Sequence, residues 1–251
     1  MNLSVSQLSH PDLKSLLQFL SFIEINNIEL VLSKIKPWDS LTFDDIVQLK
    51  NELDSYGIQS PSCQSLFFGL TYKLEDVDQI VNHLKRLIEY SKYLGIRKLV
   101  FGSPNLRKRV PGYESLLKNI FEEVDFLLKG TEIDLVIEPN CKAYKGEFFH
   151  TVPEIVQFLD KYSFTNIVTM IDYHNVIEEG MDPNRVLEDY KTYISHIHIS
   201  EPGLISIKNE EQHKEFSQSL KRLRYSGIVT YEVLHNPNIF EDIKTYKKLY
   251  K

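Results

Sequence analysis

Ile133-Asp-Leu-Val-Ile137 is a short run, apolar apart from Asp134, closed by Glu138-Pro139. Such a run reads as a parallel strand buried on both faces. Working outward, the same design returns at Ile167–Ile171, closed by Asp172, and at Ile228–Val233, which carries Glu232. Tyr193–Ile199 is a further strand and carries His198. Upstream, Leu3–Ser6, Phe22–Ile25, Ile58–Cys63 and Lys98–Phe101 complete eight strand candidates. Between them lie stretches with helical spacing. The clearest carries Val77, Ile80, Val81, Leu84, Leu87, Ile88 and Leu94 and stops at Gly95. Thr42 reads as an N-cap, Gly57 as a C-terminal stop and Thr151-Val-Pro-Glu154 as a capping box. Strictly alternating strands and helices imply parallel strands with right-handed crossovers. Eight units in 251 residues predict a single-domain (β/α)8 barrel, the TIM-barrel architecture, over 1–251. An open doubly wound sheet is the runner-up, but Leu3-Ser-Val-Ser-Gln-Leu-Ser-His-Pro lacks a glycine-rich phosphate turn.

Composition narrows the class without naming an activity. No run is long and apolar enough to read as a membrane span, and the N-terminal residues lack the pattern of a signal peptide. Cys63 and Cys141 show no metal-site spacing, which suits a reduced, cytoplasmic protein. Net charge is −6 with acids and bases interspersed, so neither a nucleic-acid nor a membrane partner is expected. Association into a homodimer stays open.

In this architecture the chemistry sits where strands end. Strands five to eight end in Glu138, Asp172, His198 and Glu232. Taken singly, an acid after a strand is most often a solvated loop residue, and a lone His a satisfied partial-core residue. Taken together, the acids at one level of the mouth would repel one another unless a cation neutralised them. Three carboxylates and one imidazole suit Mn²⁺, Mg²⁺, Co²⁺ or Fe²⁺, with Zn²⁺ less typical, and the absence of thiolate argues against a structural zinc site. Such an ion would polarise an α-hydroxy carbonyl, so that a carboxylate can remove the adjacent proton and an enediolate forms.

Lesser candidates follow from the loops. Arg107 and Arg109, with Lys108 between them, come after strand four and either grip a phosphate or carboxylate or form an ordinary basic loop. Gln64 and Ser65 either bond sugar hydroxyls or make a turn. Trp38, beyond Lys34 in the loop after strand two, either stacks on a sugar or packs. Glu24 reads as a barrel hydrogen bond within strand two, while Lys142 and Tyr144 are candidates at the mouth.

The spacings Glu138 to Asp172, Asp172 to His198 and His198 to Glu232 are 34, 26 and 34 residues. With His196-Ile-His198-Ile-Ser-Glu201, they resemble the xylose-isomerase-like TIM-barrel superfamily of sugar phosphate isomerases and epimerases. That superfamily also contains endonuclease IV and the ketose 3-epimerases, whose metal quartet is matched most closely. Cys63-Gln-Ser-Leu-Phe-Phe-Gly, Leu99-Val-Phe-Gly-Ser-Pro and His198-Ile-Ser-Glu-Pro resemble a bacterial subgroup often associated with surface-carbohydrate pathways. The resemblance implies that Glu138 and Glu232 are both ligands and proton-transfer groups, one on each face of the substrate. The expected substrate contacts are then His174 and Glu201 beside Gln64, Trp38, Arg107 and Arg109, with a small carbohydrate as the partner, anionic if the basic loop grips it. Two positions depart from the pattern. Asn175 holds the slot where the family often has His, with His174 one place early, and Leu204 stands where the ketose epimerases carry Arg. An isomerase or epimerase is the leading expectation. A dehydratase of a cyclic polyol or keto acid, and a carbohydrate-binding barrel without turnover, are the alternatives.

Overall fold

The computed structural model describes every residue from Met1 to Lys251. Eight strands close in chain order into a parallel barrel: β1 (Asn2–Ser6), β2 (Asn27–Leu30), β3 (Gln59–Cys63), β4 (Lys98–Phe101), β5 (Asp134–Ile137), β6 (Ile167–Asp172), β7 (Ile194–Ile199) and β8 (Ile228–Tyr231). Closure is made by β1 against β8, with Val5 opposite Tyr231. The helices are α1 (Leu13–Phe22), α2 (Leu32–Ile35), α3 (Phe43–Ser55), α4 (Val77–Leu94), α5 (Tyr113–Leu128), α6 (Val152–Tyr162), α7 (Tyr173–Glu178), α8 (Pro183–Tyr190), α9 (Glu210–Arg222) and α10 (Ile239–Tyr250).

The expected second strand is displaced. Phe22 belongs to α1, whose buried stripe is Leu16, Leu17 and Leu20, and Phe22 itself is exposed. Glu24 then turns the chain at a positive φ of 56°, and pairing with β1 begins only at Ile28. Phe-Ile-Glu-Ile at 22–25 and Asn-Ile-Glu-Leu at 27–30 carry nearly the same pattern, so periodicity alone could not choose between them. The error moves the barrel glutamate: Glu24 is exposed, and Glu29 is the acid buried inside the barrel.

Helix ends follow the sequence more closely. Thr42 and Asp45 form a reciprocal capping box at the start of α3. Gly95 closes α4 in the left-handed region, φ 79°, where a glycine carries no Cβ penalty.

Alternation along each strand sends successive side chains to opposite faces. One set joins the large apolar layer beneath the helices. The other fills the barrel, and there the lining is divided. Val100, Val136 and Met170 from β4, β5 and β6 make a small separate apolar cluster. Ser4, Ser6, Glu29, Ser62, His196 and Thr230 make the remainder polar and buried. A dry apolar plug therefore faces a buried polar column, and that column rises toward the C-terminal mouth.

Behind the loop that follows β3, His83 of α4 sets its ring Nε2 2.7 Å from the Leu66 carbonyl, edge-on to Trp38. Burial, only partly offset by that carbonyl, lowers its pKa from 6.5 to about 4. The folded chain thus holds this proton less tightly than the unfolded one. Its stability rises with pH between about 4 and 6.5 and is lost as pH falls through that window. We expect urea midpoints measured across this range to slope upward with pH, and the slope to flatten in His83→Gln. An equal slope in the variant would assign the dependence to other groups.

Candidate functional site

The four strand-end residues come together. Glu138, Asp172, His198 and Glu232 each offer one ligand atom, and these atoms all lie within 4.8 Å of one another. The register explains the levelling: Asp172 on β6 is paired with His198 on β7, and His198 with Thr230 on β8. His198 Nδ1 lies 3.1 Å from Glu138 Oε1 and 3.0 Å from Glu232 Oε2.

Three acids this close are electrostatically costly. Burial, then the charges of Glu138 and Glu232, push the Asp172 carboxyl well above the usual carboxylate range. Burial opposes charge on His198, but Glu232, Glu29 and Glu138 together outweigh it and hold its proton well above the ordinary histidine range. Without a further cation, the cluster therefore balances itself with protons.

Beneath His198 the polar column continues. The Glu29 carboxylate sits between two rings, Oε1 2.9 Å from His198 Nε2 and Oε2 2.8 Å from His196 Nε2. Gln64 Nε2 donates to the same Oε1 at 2.8 Å and to Ser6 Oγ at 2.9 Å. Burial works against ionising Glu29, yet the two imidazoles keep its carboxyl well below the usual range. A carboxylate at Nε2 leaves Nδ1 as the ring atom that faces the acids.

Asn175 performs a similar task for Asp172. Its Nδ2 donates to Asp172 Oδ2 at 2.5 Å and to the Pro139 carbonyl at 2.6 Å, while its Oδ1 accepts from Cys141 N at 3.1 Å. It thereby ties the end of β5 to the end of β6. Gly102, just after β4, is there because a Cβ would stand 2.2 Å from Glu138 Oε2. Sequence reasoning missed Glu29 through the displaced strand. It noted Asn175 only as a departure and Gly102 only as part of a motif.

A cavity of about 240 Å³ opens above the cluster, lined by Glu138, Asp172, Glu232, Gln64, Ser65, Asn140, Tyr144 and Asn175 among others. The remaining expected contacts fall elsewhere. Arg107 is fully buried and turned away from the cavity. Its guanidinium donates to the carbonyls of Phe101 at 2.9 Å, Glu138 at 2.6 Å and Phe149 at 3.1 Å. Arg109 donates to the Glu147 carbonyl at 3.0 Å and lies over the Tyr113 ring, while Lys108 faces Glu147 at 3.5 Å. The expected anion grip is thus absent, because the backbone carbonyls of Phe101, Glu138 and Phe149 claim the one arginine and Glu147 the neighbouring bases. Trp38 is a packing residue, donating to the Phe68 carbonyl at 2.8 Å beneath the loop. Glu201 accepts from the backbone of Lys208 and Asn209, at 3.2 and 3.1 Å, and faces His213. It anchors the loop after β7. His174 is buried against Tyr144, outside the cavity lining.

Residues 21–249 match the family model described as a xylose isomerase-like TIM barrel. A probable ketose 3-epimerase of Synechocystis sp. is 26% identical over 246 residues, covering 87% of this chain and 81% of that protein. Among solved structures, the 3-keto-D-glucoside 4-epimerase of E. coli superposes with a TM-score of 0.78 at 13% identity, covering 99% of both chains. The probable 3-DHS dehydratase of Bacillus anthracis, involved in petrobactin synthesis, superposes at 0.73 and 14% identity, covering 98% of this chain and 99% of that one. At those identities, the structural likeness speaks for the fold alone.

The reassignment of Arg107 is open to test. Arg107→Met strands the Glu138 carbonyl and removes the second donor from those of Phe101 and Phe149, which keep Glu138 N and Asn140 N, and should lower stability by roughly 1–3 kcal/mol in urea unfolding. A variant as stable as the parent would remove the structural role.

Proposed function

The chain belongs to the xylose isomerase-like TIM-barrel family, and we propose that it is a divalent-metal-dependent isomerase or epimerase of a sugar-like substrate. The observation that carries this reading is the convergence of Glu138, Asp172, His198 and Glu232 from four successive strands to within 4.8 Å, with the three carboxylates on the floor of one cavity. The relative described as a probable ketose 3-epimerase supports the choice of reaction.

The donor set fits a hard or borderline dication. It offers three carboxylates and one imidazole, and no thiolate reaches it. The acids crowd closely enough that Asp172 resists ionisation on its own, and a dication is the counter-charge that would relieve them. Mn²⁺, Mg²⁺, Co²⁺ and Fe²⁺ all suit such ligands. Bound there, the ion supplies Lewis acidity toward a carbonyl and its neighbouring hydroxyl.

The protein's own groups do the rest. Glu138 and Glu232 stand at the ends of β5 and β8 and both reach the cavity. In this reading one takes the proton from the carbon beside the carbonyl, and the other returns a proton to the opposite face or the adjacent carbon. The first outcome is epimerisation and the second 1,2-isomerisation. Positioned acid–base groups of this kind contribute roughly 10²–10⁴-fold. Glu29 keeps His198 in one tautomer and orientation, Asn175 orients Asp172, and Gly102 leaves room for the Glu138 carboxylate. Tyr144 borders the same floor, and burial together with the charges of Asp172, Glu232 and Glu138 keeps its phenol protonated, so it serves as a hydrogen-bond donor. A substrate with a leaving group β to the abstracted proton would eliminate it, which is where a dehydratase departs from the same chemistry.

Two measurements test the reading. In D₂O, the Mn²⁺-loaded protein should place deuterium on the carbon next to a ketose carbonyl, and Glu138→Gln should slow this by about 100-fold or more. Full exchange in that variant would leave Glu138 no role in proton transfer. Glu29→Gln should weaken Mn²⁺ binding by roughly 10–100-fold in calorimetric titration, with the fold retained. Unchanged affinity would reduce the Glu29 contact to barrel packing.

A further inference from the structure

We propose that Glu201 is a positioning residue: it fixes the hairpin that carries Leu204 to the cavity, and His213 and Tyr250 hold it in place from the last two helices. The inference rests on the isomerase or epimerase reading for what occupies the cavity.

The hairpin opens the loop after β7 and is closed at its base. Glu201 N donates to the Ile205 carbonyl at 3.0 Å, and Ile205 N donates back to the Glu201 carbonyl at 3.3 Å. Between them Gly203 and Leu204 turn the chain at positive φ of 88° and 55°. Glycine takes that conformation freely, whereas Leu204 adopts it only because its surroundings impose it. The Leu234 amide, two residues beyond Glu232, donates to the Leu204 carbonyl at 2.9 Å. Leu204 itself lines the cavity with Glu138, Asp172 and Glu232.

The hairpin is held on its outer side by one carboxylate oxygen. Glu201 Oε1 accepts from Lys208 N at 3.2 Å and Asn209 N at 3.1 Å, the amides that lead into α9. The same oxygen lies 3.3 Å from His213 Nε2 of α9. His213 Nδ1 lies 2.7 Å from the Tyr250 hydroxyl of α10. Burial lowers the pKa of His213, and Glu201 offsets this only in part. A neutral ring that takes the Tyr250 proton at Nδ1 keeps its own proton at Nε2, directed at the carboxylate. The ring cannot turn away, because it is stacked on Tyr173 with centroids 4.4 Å apart. His213 and Tyr250 are fully buried. Directional bonds of this kind, satisfied in sequence, define one position for the group at their end. Glu201, His213 and Tyr250 all lie outside the cavity lining, so their effect on a bound molecule passes through the hairpin. A second tie, Ser206 bonded to Asp242 and Asn236, fastens the chain just beyond it.

The test uses Mn²⁺-loaded protein and two readouts. One is hydrogen exchange at the Leu234 amide. The other is kcat and KM for deuterium entry into fructose from D₂O. Glu201→Leu removes the acceptor and should speed Leu234 exchange about tenfold or more. It should raise KM about fivefold with kcat within about twofold, the signature of lost binding rather than lost chemistry. Glu201→Gln retains Oε1 for all three donors and should restore both readouts to within about twofold of the parent. Tyr250→Phe, which removes one hydroxyl, should move both readouts in the direction of Glu201→Leu, and it carries the same test if Glu201→Leu fails to fold. Unchanged Leu234 exchange, a fall in kcat as large as the rise in KM, or a Gln variant as impaired as the Leu variant each overturns the proposal. If the parent places no deuterium in fructose, the catalytic reading is overturned and the Leu234 amide alone decides the anchor: faster exchange in Glu201→Leu supports it, and unchanged exchange overturns it.

Discussion

Three carboxylates held within reach of one imidazole are the constraint around which the upper half of this barrel is built. Such a group cannot be left to side-chain flexibility, because each acid gains by turning away from the others. Three of the four members are accordingly held from behind. His198 is gripped through its far nitrogen by Glu29, Asp172 is bonded by Asn175, and Glu138 fits against the bare Cα of Gly102. The Glu29 carboxylate is itself stabilised by His196 and Gln64, so the support runs down the barrel as a buried polar column. Its cost explains the division of the interior. The polar half lines the strands that carry the column, while Val100, Val136 and Met170 fill the opposite half.

Arg107 shows the same logic carried into the loops. The chain leaving β4 and the chain leaving β5 both present carbonyls with acceptor capacity to spare: those of Phe101 and Phe149 each take one backbone donor, Glu138 N and Asn140 N, and that of Glu138 takes none. One guanidinium, with its rigid fork of donors, serves three of them. Because Glu138 contributes one of those carbonyls, its backbone is pinned at the point where its side chain enters the cluster. The arginine therefore acts on the site from the rear, where its charge is spent on backbone oxygens.

Much of this was legible in the sequence, and the reasons are physical. Apolar runs closed by an acid or histidine mark buried parallel strands and their C-terminal ends, so the barrel and the positions of Glu138, Asp172, His198 and Glu232 along it could be read directly. Two kinds of information were hidden. Phe-Ile-Glu-Ile and Asn-Ile-Glu-Leu share one pattern, and only pairing with β1 chooses the second, so Glu29 stayed out of sight behind Glu24. The direction of a long side chain leaves no trace in local spacing either. Arg107 looked like a ligand grip because three bases in a row suggest solvent, whereas its fate was decided by carbonyls of residues 101, 138 and 149 that only the fold brings together. Trp38 and Glu201 were misplaced for the same reason, Trp38 drawn to a carbonyl of the loop after β3 and Glu201 to backbone amides farther along its own loop.

What results is a separation of duties along the barrel axis. Strand ends are rigid, levelled by register and hydrogen-bonded on both sides, so they suit groups whose mutual distances matter to within tenths of an ångström. Loops can change residue type without disturbing the sheet, so they suit the discrimination of one substrate from another. In this chain the strand ends that reach the cavity bring Glu138, Asp172 and Glu232, and the loop wall mixes apolar Leu8, Phe67, Leu106 and Leu204 with polar Ser65, Tyr72 and Asn105. Substitution of a wall residue alters what the floor is offered and leaves intact the distances among Glu138, Asp172, His198 and Glu232. Of the eight non-glycine residues at positive φ, three, Ser65, Ser103 and Leu204, lie on the loops that line the cavity, and none is among the four converging residues, which stand at strand ends.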